Sequence, residues 1–245
     1  MLIDPKKVKK QFEKSFDKYN SNAVVQKELA EKLVLEVSKI GNDYTKILEI
    51  GSGTGLLTKE ISKNFNFKEY HANDLIPKSK YYLDKILDEY TFIQGDAQKI
   101  KSNKKFNLII SNAVFQWFKD LKKTSKEYNS LLEENGILAF STFTPNNFKE
   151  IKELTGFSLE YKNTNEIVEN LKDNFKILHI SEYENILKFS NPLELLAHIK
   201  NTGVNALSNK PLTFKEVKEF CENYKAKYPE ITLTYNPAII VAQKI

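Results

Sequence analysis

The period of the apolar residues changes along the chain, and each change marks a different kind of element. Val8, Phe12, Phe16 and Tyr19 recur at helical spacing, with Lys6, Lys7, Lys10, Lys14 and Lys18 on the other faces. Asn20-Ser-Asn22 interrupts this helix. Ala23, Gln26, Ala30, Leu33, Val34 and Val37 then predict a second amphipathic helix, ended by Gly41. From Lys46 short apolar runs alternate with helical patterns. Strands are predicted at Lys46–Ile50, Phe67–Asn73, Tyr90–Gln94, Phe106–Ser111 and Gly136–Phe143. Helices are predicted at Leu56–Asn64, Lys78–Glu89 and from about Leu121 to Glu133. Such β-α-β-α repetition predicts an α/β fold, with a parallel sheet covered by helices on both faces. After Pro145 the rhythm is irregular. Asn147–Leu154, Asn163–Asn170, Leu193–Lys200 and Thr213–Lys227 read as helices. Phe175–Phe189 reads as a long strand with a turn near Glu184-Asn185, and Ile239–Ala242 as a final strand. No repeat or linker divides the chain, so residues 1–245 read as one domain with an insertion between its last strands.

Composition narrows the chemistry. The one cysteine, Cys221, allows no intramolecular disulfide, and His71, His179 and His198 are too scattered to predict a metal cluster. No apolar run approaches the ~18 residues of a membrane span. The first ten residues lack the apolar core of a signal peptide, so the cytoplasm is the expected location. A net charge of +5 is too mild to imply nucleic acid. All 37 basic residues are lysine. Any phosphate or carboxylate must therefore be recognised without the planar fork of arginine.

The most informative stretch is Ile47-Leu-Glu-Ile-Gly-Ser-Gly-Thr-Gly55, where a strand enters a glycine-rich turn and a helix leaves it. Glycine permits the sharp turn and the close approach of a ligand. A dinucleotide loop reads G-x-G-x-x-G, with pyrophosphate on the helix N-terminus. Here the glycines fall at 51, 53 and 55, and Glu49 precedes them. An acid at that place suits a cationic amino acid better than pyrophosphate. Asp74, at the end of the second strand, can accept hydrogen bonds from ribose hydroxyls. Asp96, at the end of the third, can accept from an exocyclic adenine amine. A ligand with ribose, adenine and a positive group, and without phosphate, describes S-adenosylmethionine.

Glu49, the glycine loop, Asp74, Asp96 and the turn at Asn112 together resemble the ordered motifs of class I S-adenosylmethionine-dependent methyltransferases. The resemblance implies a Rossmann-like, mostly parallel seven-stranded sheet. It also implies cofactor contacts from Glu49, Gly51, Ser52, Gly53, Gly55, Asp74, Leu75, Asp96, Ala97 and Asn112. Three further stretches bring the likeness closer. They are Phe12-x3-Phe16-x2-Tyr19 with Gln26, then Ser111-Asn-Ala-Val-Phe-Gln-Trp117 with Gly136–Phe143, and finally Leu196–Leu207 with Leu233-Thr-Tyr-Asn-Pro-Ala-Ile-Ile240. With these the chain resembles the malonyl-acyl-carrier-protein O-methyltransferases of biotin synthesis, from about Lys7 to its C-terminus.

That likeness implies methylation of the free carboxylate of a malonyl thioester. Residues 1–40 would then form a helical lid, and residues 145–230 would carry helical insertions on the substrate side. Tyr19, Gln116 and Trp117 are the expected catalytic positions, and Tyr19, Gln26 and Lys200 the expected substrate contacts. No metal is expected. A carboxylate is already a nucleophile, so positioning matters more than proton transfer. The expected partner is the acidic acyl-carrier protein, met by lysines of the first helix and by Lys119, Lys122, Lys123 and Lys126. Other readings are methylation of another small molecule, such as a quinone or a different carboxylic acid, and a cofactor-binding scaffold without turnover.

Overall fold

The computed structural model describes residues 5–203 and 212–245. Two helices come first, α1 (Pro5–Asn22) and α2 (Val24–Ser38). Asn20-Ser-Asn22 does not end α1, because Ser21 Oγ and Asn22 Nδ2 both donate to the carbonyl of Lys18 and satisfy the last turn. The break falls at Ala23, the N-cap of α2, with φ −81° and ψ 48°.

Then follow β1 (Asp43–Ile50), α3 (Leu56–Asn64), β2 (Asn66–Asp74), α4 (Ser79–Leu83), β3 (Thr91–Gln94), β4 (Phe106–Ser111), α5 (Leu121–Leu131) and β5 (Leu132–Phe143). The rest comprises α6 (Lys149–Thr155), α7 (Thr164–Leu171), β6 (Phe175–Glu182), β7 (Asn185–Lys188), α8 (Pro192–Asn201), α9 (Phe214–Lys227), β8 (Thr232–Tyr235) and β9 (Pro237–Lys244). Seven strands form one sheet in the order β3-β2-β1-β4-β5-β9-β6. The strands β1 to β5 pair in parallel, and β9 runs antiparallel between β5 and β6. This is the mostly parallel, doubly wound sheet expected from the sequence.

Period-two alternation sets the two faces. Ile47, Leu108 and Ile110 join a core with Leu29 and Leu33 of α2 and Leu57 and Ile61 of α3. Leu48, Ile50 and Ile109 join the opposite core, with Tyr128 and Leu131 of α5 and Ile167 and Leu171 of α7. A strand buried on both faces needs the continuous apolar run seen at Leu108–Ile110. Truncating one of these isoleucines to alanine costs about 2–5 kcal/mol.

Four expectations need correction. The helix expected over Lys78–Glu89 is only α4. Leu83 and Leu87 are both buried and helically spaced, but the next bonds tighten, with Ile86 N donating to Leu83 O at 2.8 Å, as the chain turns back into β3. The helix expected to Glu133 stops at Leu131, because Leu132 already pairs with Phe106 as the start of β5. The segment Phe175–Phe189 is two strands. β6 belongs to the main sheet, whereas β7 pairs antiparallel with β8 in a small second sheet. Finally, β8 was not expected as a strand, although Thr232-Leu-Thr-Tyr235 alternates β-branched and larger apolar residues.

Candidate active site

The strand order reverses between β1 and β4, and in such sheets the crevice at the carboxyl ends of the strands takes ligands. Here it is a cleft of about 1100 Å³, counting its open part. The loop after β1, the ends of β2, β3 and β4, and the helix α1 form its walls. Gly51 allows the turn after β4 to come close: a Cβ there would lie 2.4 Å from Val114 Cγ2. Gly53, at φ +52°, is different. A Cβ there would meet only Gly51 O at 3.9 Å, so the space beside it belongs to the cleft. Ser52 lines the same cleft, and its hydroxyl is buried without a hydrogen-bond partner.

Asp74 ties the loop to β2. Its Oδ2 accepts from Gly53 N at 2.7 Å and its Oδ1 from Ile76 N at 2.7 Å. Two accepted bonds do not exhaust the acceptor capacity of a carboxylate. Burial pushes the Asp74 carboxyl above its ordinary value, against these backbone bonds. Asp96 is more open. One of its oxygens accepts from Gln98 N at 3.0 Å at the start of a 3-10 turn. Leu75, Ile76, Ala97 and Phe118 add an apolar wall between the two acids. On the other side Asn112 is fixed twice. Its Nδ2 donates to Gln26 O at 2.9 Å, and its Oδ1 accepts from Ser141 Oγ at 2.6 Å. The next residue, Ala113, adopts φ +57°, a strained conformation for alanine, where the chain leaves β4 towards Trp117.

The helix α1 lies over the opening. Asp17 bonds Lys78 Nζ at 2.6 Å and Tyr82 OH at 3.0 Å, and Thr54 Oγ1 donates to Asn20 Oδ1. Phe16 packs edge-on to Tyr82 at 5.3 Å. Phe12 lies 6.2 Å from the Tyr19 ring and edge-on to Trp117 at 5.9 Å. Burial, followed by the charge of Asp74, raises the Tyr19 hydroxyl above its ordinary pKa, so it stays a neutral donor.

The cleft therefore brings together Tyr19, Gly51, Ser52, Gly53, Asp74, Leu75, Asp96, Ala97, Asn112 and Trp117. It does not bring in the other five candidates. Glu49 shares the strand face of Ile47 and points under the loop towards α3. Its Oε2 accepts from Thr58 Oγ1 at 2.6 Å and Tyr70 OH at 2.5 Å, while Oε1 is buried without a partner. Burial pushes its carboxyl up to about 7. Gly55 caps α3, and a Cβ there would lie 2.4 Å from Ile86 Cδ1. Gln116 turns into a separate small cavity and donates to Ala113 O at 2.7 Å. Gln26 is buried in α2 with its Oε1 unpartnered. Lys200 is exposed in the last turn of α8, and the part of the Leu196–Leu207 stretch beyond Gly203 lies outside the described residues. Phe12, Phe16 and Thr54 also line the cleft but were not expected as site residues. For the two phenylalanines the aromatic stripe of α1 carried the signal. Nothing local reveals the Thr54–Asn20 bond, which joins residues on two elements.

This fold, with its glycine loop and two strand-end acids, defines a methyltransferase of the class I kind, and the family profile described as "Methyltransferase domain" matches residues 22–169. A malonyl-[acyl-carrier protein] O-methyltransferase of Calditerrivibrio nitroreducens is 36% identical over 96% of this chain and 96% of its own. One from Bacteroides thetaiotaomicron is 34% identical over 97% of each. The fold is shared with the N-methyltransferase NodS of Bradyrhizobium japonicum, solved with S-adenosyl-L-homocysteine. That match has a TM-score of 0.55 and 12% identity, and covers 89% of this chain and 86% of that one. The chain belongs to the malonyl-[acyl-carrier protein] O-methyltransferase family.

Proposed function

We propose that the protein transfers a methyl group from S-adenosylmethionine to the free carboxylate of a malonyl thioester carried on an acyl-carrier protein, a step of biotin synthesis. The observation that carries the cofactor half is the cleft itself. Asp74 and Asp96 offer unfilled acceptor sites, Ser52 Oγ is buried without a partner, and the space beside Gly53 is open. These features fit a ribose, an adenine amine and a close approach of ligand to backbone. When bound, the cofactor supplies an electrophilic methyl group.

The residues of the chain position and exclude water. Asp74 and Asp96 hold hydroxyls and amine, with Leu75 and Ala97 against the base. Asn112, fixed from α2 and from β5, sets the wall between cofactor and acceptor. Tyr19, on the lid formed by the N-terminal helices, covers the opening with Phe12 and Phe16, and Trp117 faces it from the turn after β4. Gln116 fixes that turn through Ala113 O, which supports a positioning role. Gln26 backs Asn112 through its carbonyl. Lys200 stands outside the cleft, where it suits the carrier rather than the reacting carboxylate. An anion attacking a cationic centre disperses both charges, so a covered site and alignment at about 3–3.5 Å favour transfer without a general base.

The family relationship supports the acceptor, since the relatives are named for malonyl-carrier methylation. Exposed lysines support a carrier rather than a free thioester. Lys119, Lys122, Lys123 and Lys126 stand on and before α5, and Lys14 and Lys18 on α1. Complementary charge accelerates encounter and is screened over a Debye length of about 10 Å at 0.1 M salt. The test is kcat/KM on malonyl-carrier protein and malonyl-coenzyme A at rising salt. The carrier form should be favoured, with an advantage that shrinks as salt rises. Equal efficiency and equal salt slopes would remove the lysines as a docking surface. Turnover of neither would overturn the acceptor assignment.

A further inference from the structure

Trp117 is the protein's only tryptophan, and its Nε1–H is buried without any hydrogen-bond acceptor. A buried donor left unpaired is unfavourable, and because Trp117 lines the ligand cleft, an acceptor that arrives with the ligand can satisfy it. Three neighbouring side-chain donors are already engaged. Asn112 Nδ2 is held by Gln26 O, Asn73 Nδ2 by Ile93 O and Gly95 O, and Thr54 Oγ1 by Asn20. Among the described residues, Lys9 is the only cation at the cleft wall, and it lies 3.8 Å from Glu13. The indole is also held in place. Phe12 packs against it edge-on, with an interplanar angle of 86°.

Resting on the acceptor assignment above, we propose that the indole N–H of Trp117 donates a hydrogen bond to the carboxylate of the methyl acceptor and selects substrates that carry one. The donor is neutral, and that suits the chemistry. A lysine paired tightly with the carboxylate would hold its charge back from attack, whereas an indole orients one oxygen and leaves the other free. Transfer moves the lone pair of that oxygen onto the methyl carbon, and the electron pair of the breaking carbon–sulfur bond stays on sulfur. The charge on the carboxylate therefore falls in the transition state. A bond to that charge is at least as strong in the ground state, so its loss falls on KM rather than on kcat.

Two measurements test the role. In the wild-type protein, emission from Trp117 should shift to longer wavelength when malonyl-coenzyme A is added to the protein saturated with S-adenosyl-L-homocysteine. Acetyl-coenzyme A, which lacks the carboxylate, should leave the emission in place. In Trp117→Phe, KM for the malonyl thioester should rise about tenfold to a hundredfold, the usual worth of a hydrogen bond to a charged group. The inhibition constant of acetyl-coenzyme A and the affinity for S-adenosyl-L-homocysteine should stay within about twofold. A tryptophan serving only as packing would raise the constants for both thioesters by the same factor, and that result overturns the proposal. So does an emission shift produced by S-adenosyl-L-homocysteine alone, which would assign the N–H to the cofactor. The fluorescence measurement decides the matter even where the phenylalanine variant fails to fold. A wild-type protein that neither binds nor methylates malonyl thioesters overturns the acceptor assignment as well. Methylation with unchanged selectivity in Trp117→Phe overturns the tryptophan's role alone.

Discussion

Replacing Asp74 by alanine removes two buried acceptors at once, those of Gly53 N and Ile76 N. An unpaired buried N–H costs about 1–3 kcal/mol, so the pair amounts to about 2–6 kcal/mol. Part of this is offset, because burial already disfavours the charged carboxylate, as its raised pKa records. A net loss of about 2–4 kcal/mol corresponds, at about 2–4 °C per kcal/mol for a chain of this size, to a fall in Tm on the order of 10 °C. Asparagine keeps one acceptor and should lose about half as much. Both variants lose the charged acceptor proposed for the cofactor's hydroxyls, worth about 1.5–3 kcal/mol or roughly 10- to 150-fold in affinity. Thermal unfolding gives the first quantity, and titration calorimetry with S-adenosylmethionine, well below the variant's Tm, gives the second. An alanine variant with wild-type Tm would refute the strut. A folded variant with wild-type affinity would refute Asp74 as the ligand acid.

The loop glycines should separate in the same two assays. Gly53→Val should lose cofactor binding, since its side chain enters the cleft, and should lose only the stability that a valine at φ +52° costs in backbone strain. Gly55→Val should lose stability, since its Cβ would lie 2.4 Å from Ile86 Cδ1 at φ +79°. Glu49 has a folded pKa raised to about 7 by burial, so its contribution favours the fold while the group is protonated and declines as pH rises from about 4.5 to 7. The decline is on the order of 3 kcal/mol, and Glu49→Gln, which can still accept from Thr58 and Tyr70, should flatten the pH dependence of urea unfolding over that range. An unchanged slope in the glutamine variant would place the titration elsewhere. Amide exchange across residues 9–22 should slow when S-adenosyl-L-homocysteine and malonyl-coenzyme A bind together, and unchanged protection would make α1 ordinary packing rather than a lid.

What the sequence disclosed and what it hid follow from the range of the interactions involved. The strand ends and the glycine loop were legible because each rests on local chemistry: a glycine where φ is positive, and an apolar run that stops at an acid. The division of labour among Gly51, Gly53 and Gly55 was not, because it depends on Val114 and Ile86, which arrive from other elements. Glu49 read as a ligand acid, yet its place under the loop is fixed by Tyr70, its neighbour only across the β1–β2 pair. Gln116 and Trp117 are adjacent in sequence but part company in space, since a single 3-10 turn sends one into a side cavity and the other to the cleft. Likewise β8 is too short to declare itself, and it is a strand only because β7 lies beside it.

The central claim is that this cleft delivers a methyl group to the carboxylate of a carrier-bound malonyl group. It is tested most directly with S-adenosylmethionine carrying a ¹³C-labelled methyl group, incubated with the protein and either malonyl- or acetyl-carrier protein, and read by NMR. A new methyl-ester signal should appear on the malonyl carrier and disappear on mild alkaline hydrolysis, with no transfer to the acetyl carrier. Label on the acetyl carrier, label in an alkali-stable group, or no transfer by a protein that binds the cofactor would contradict it.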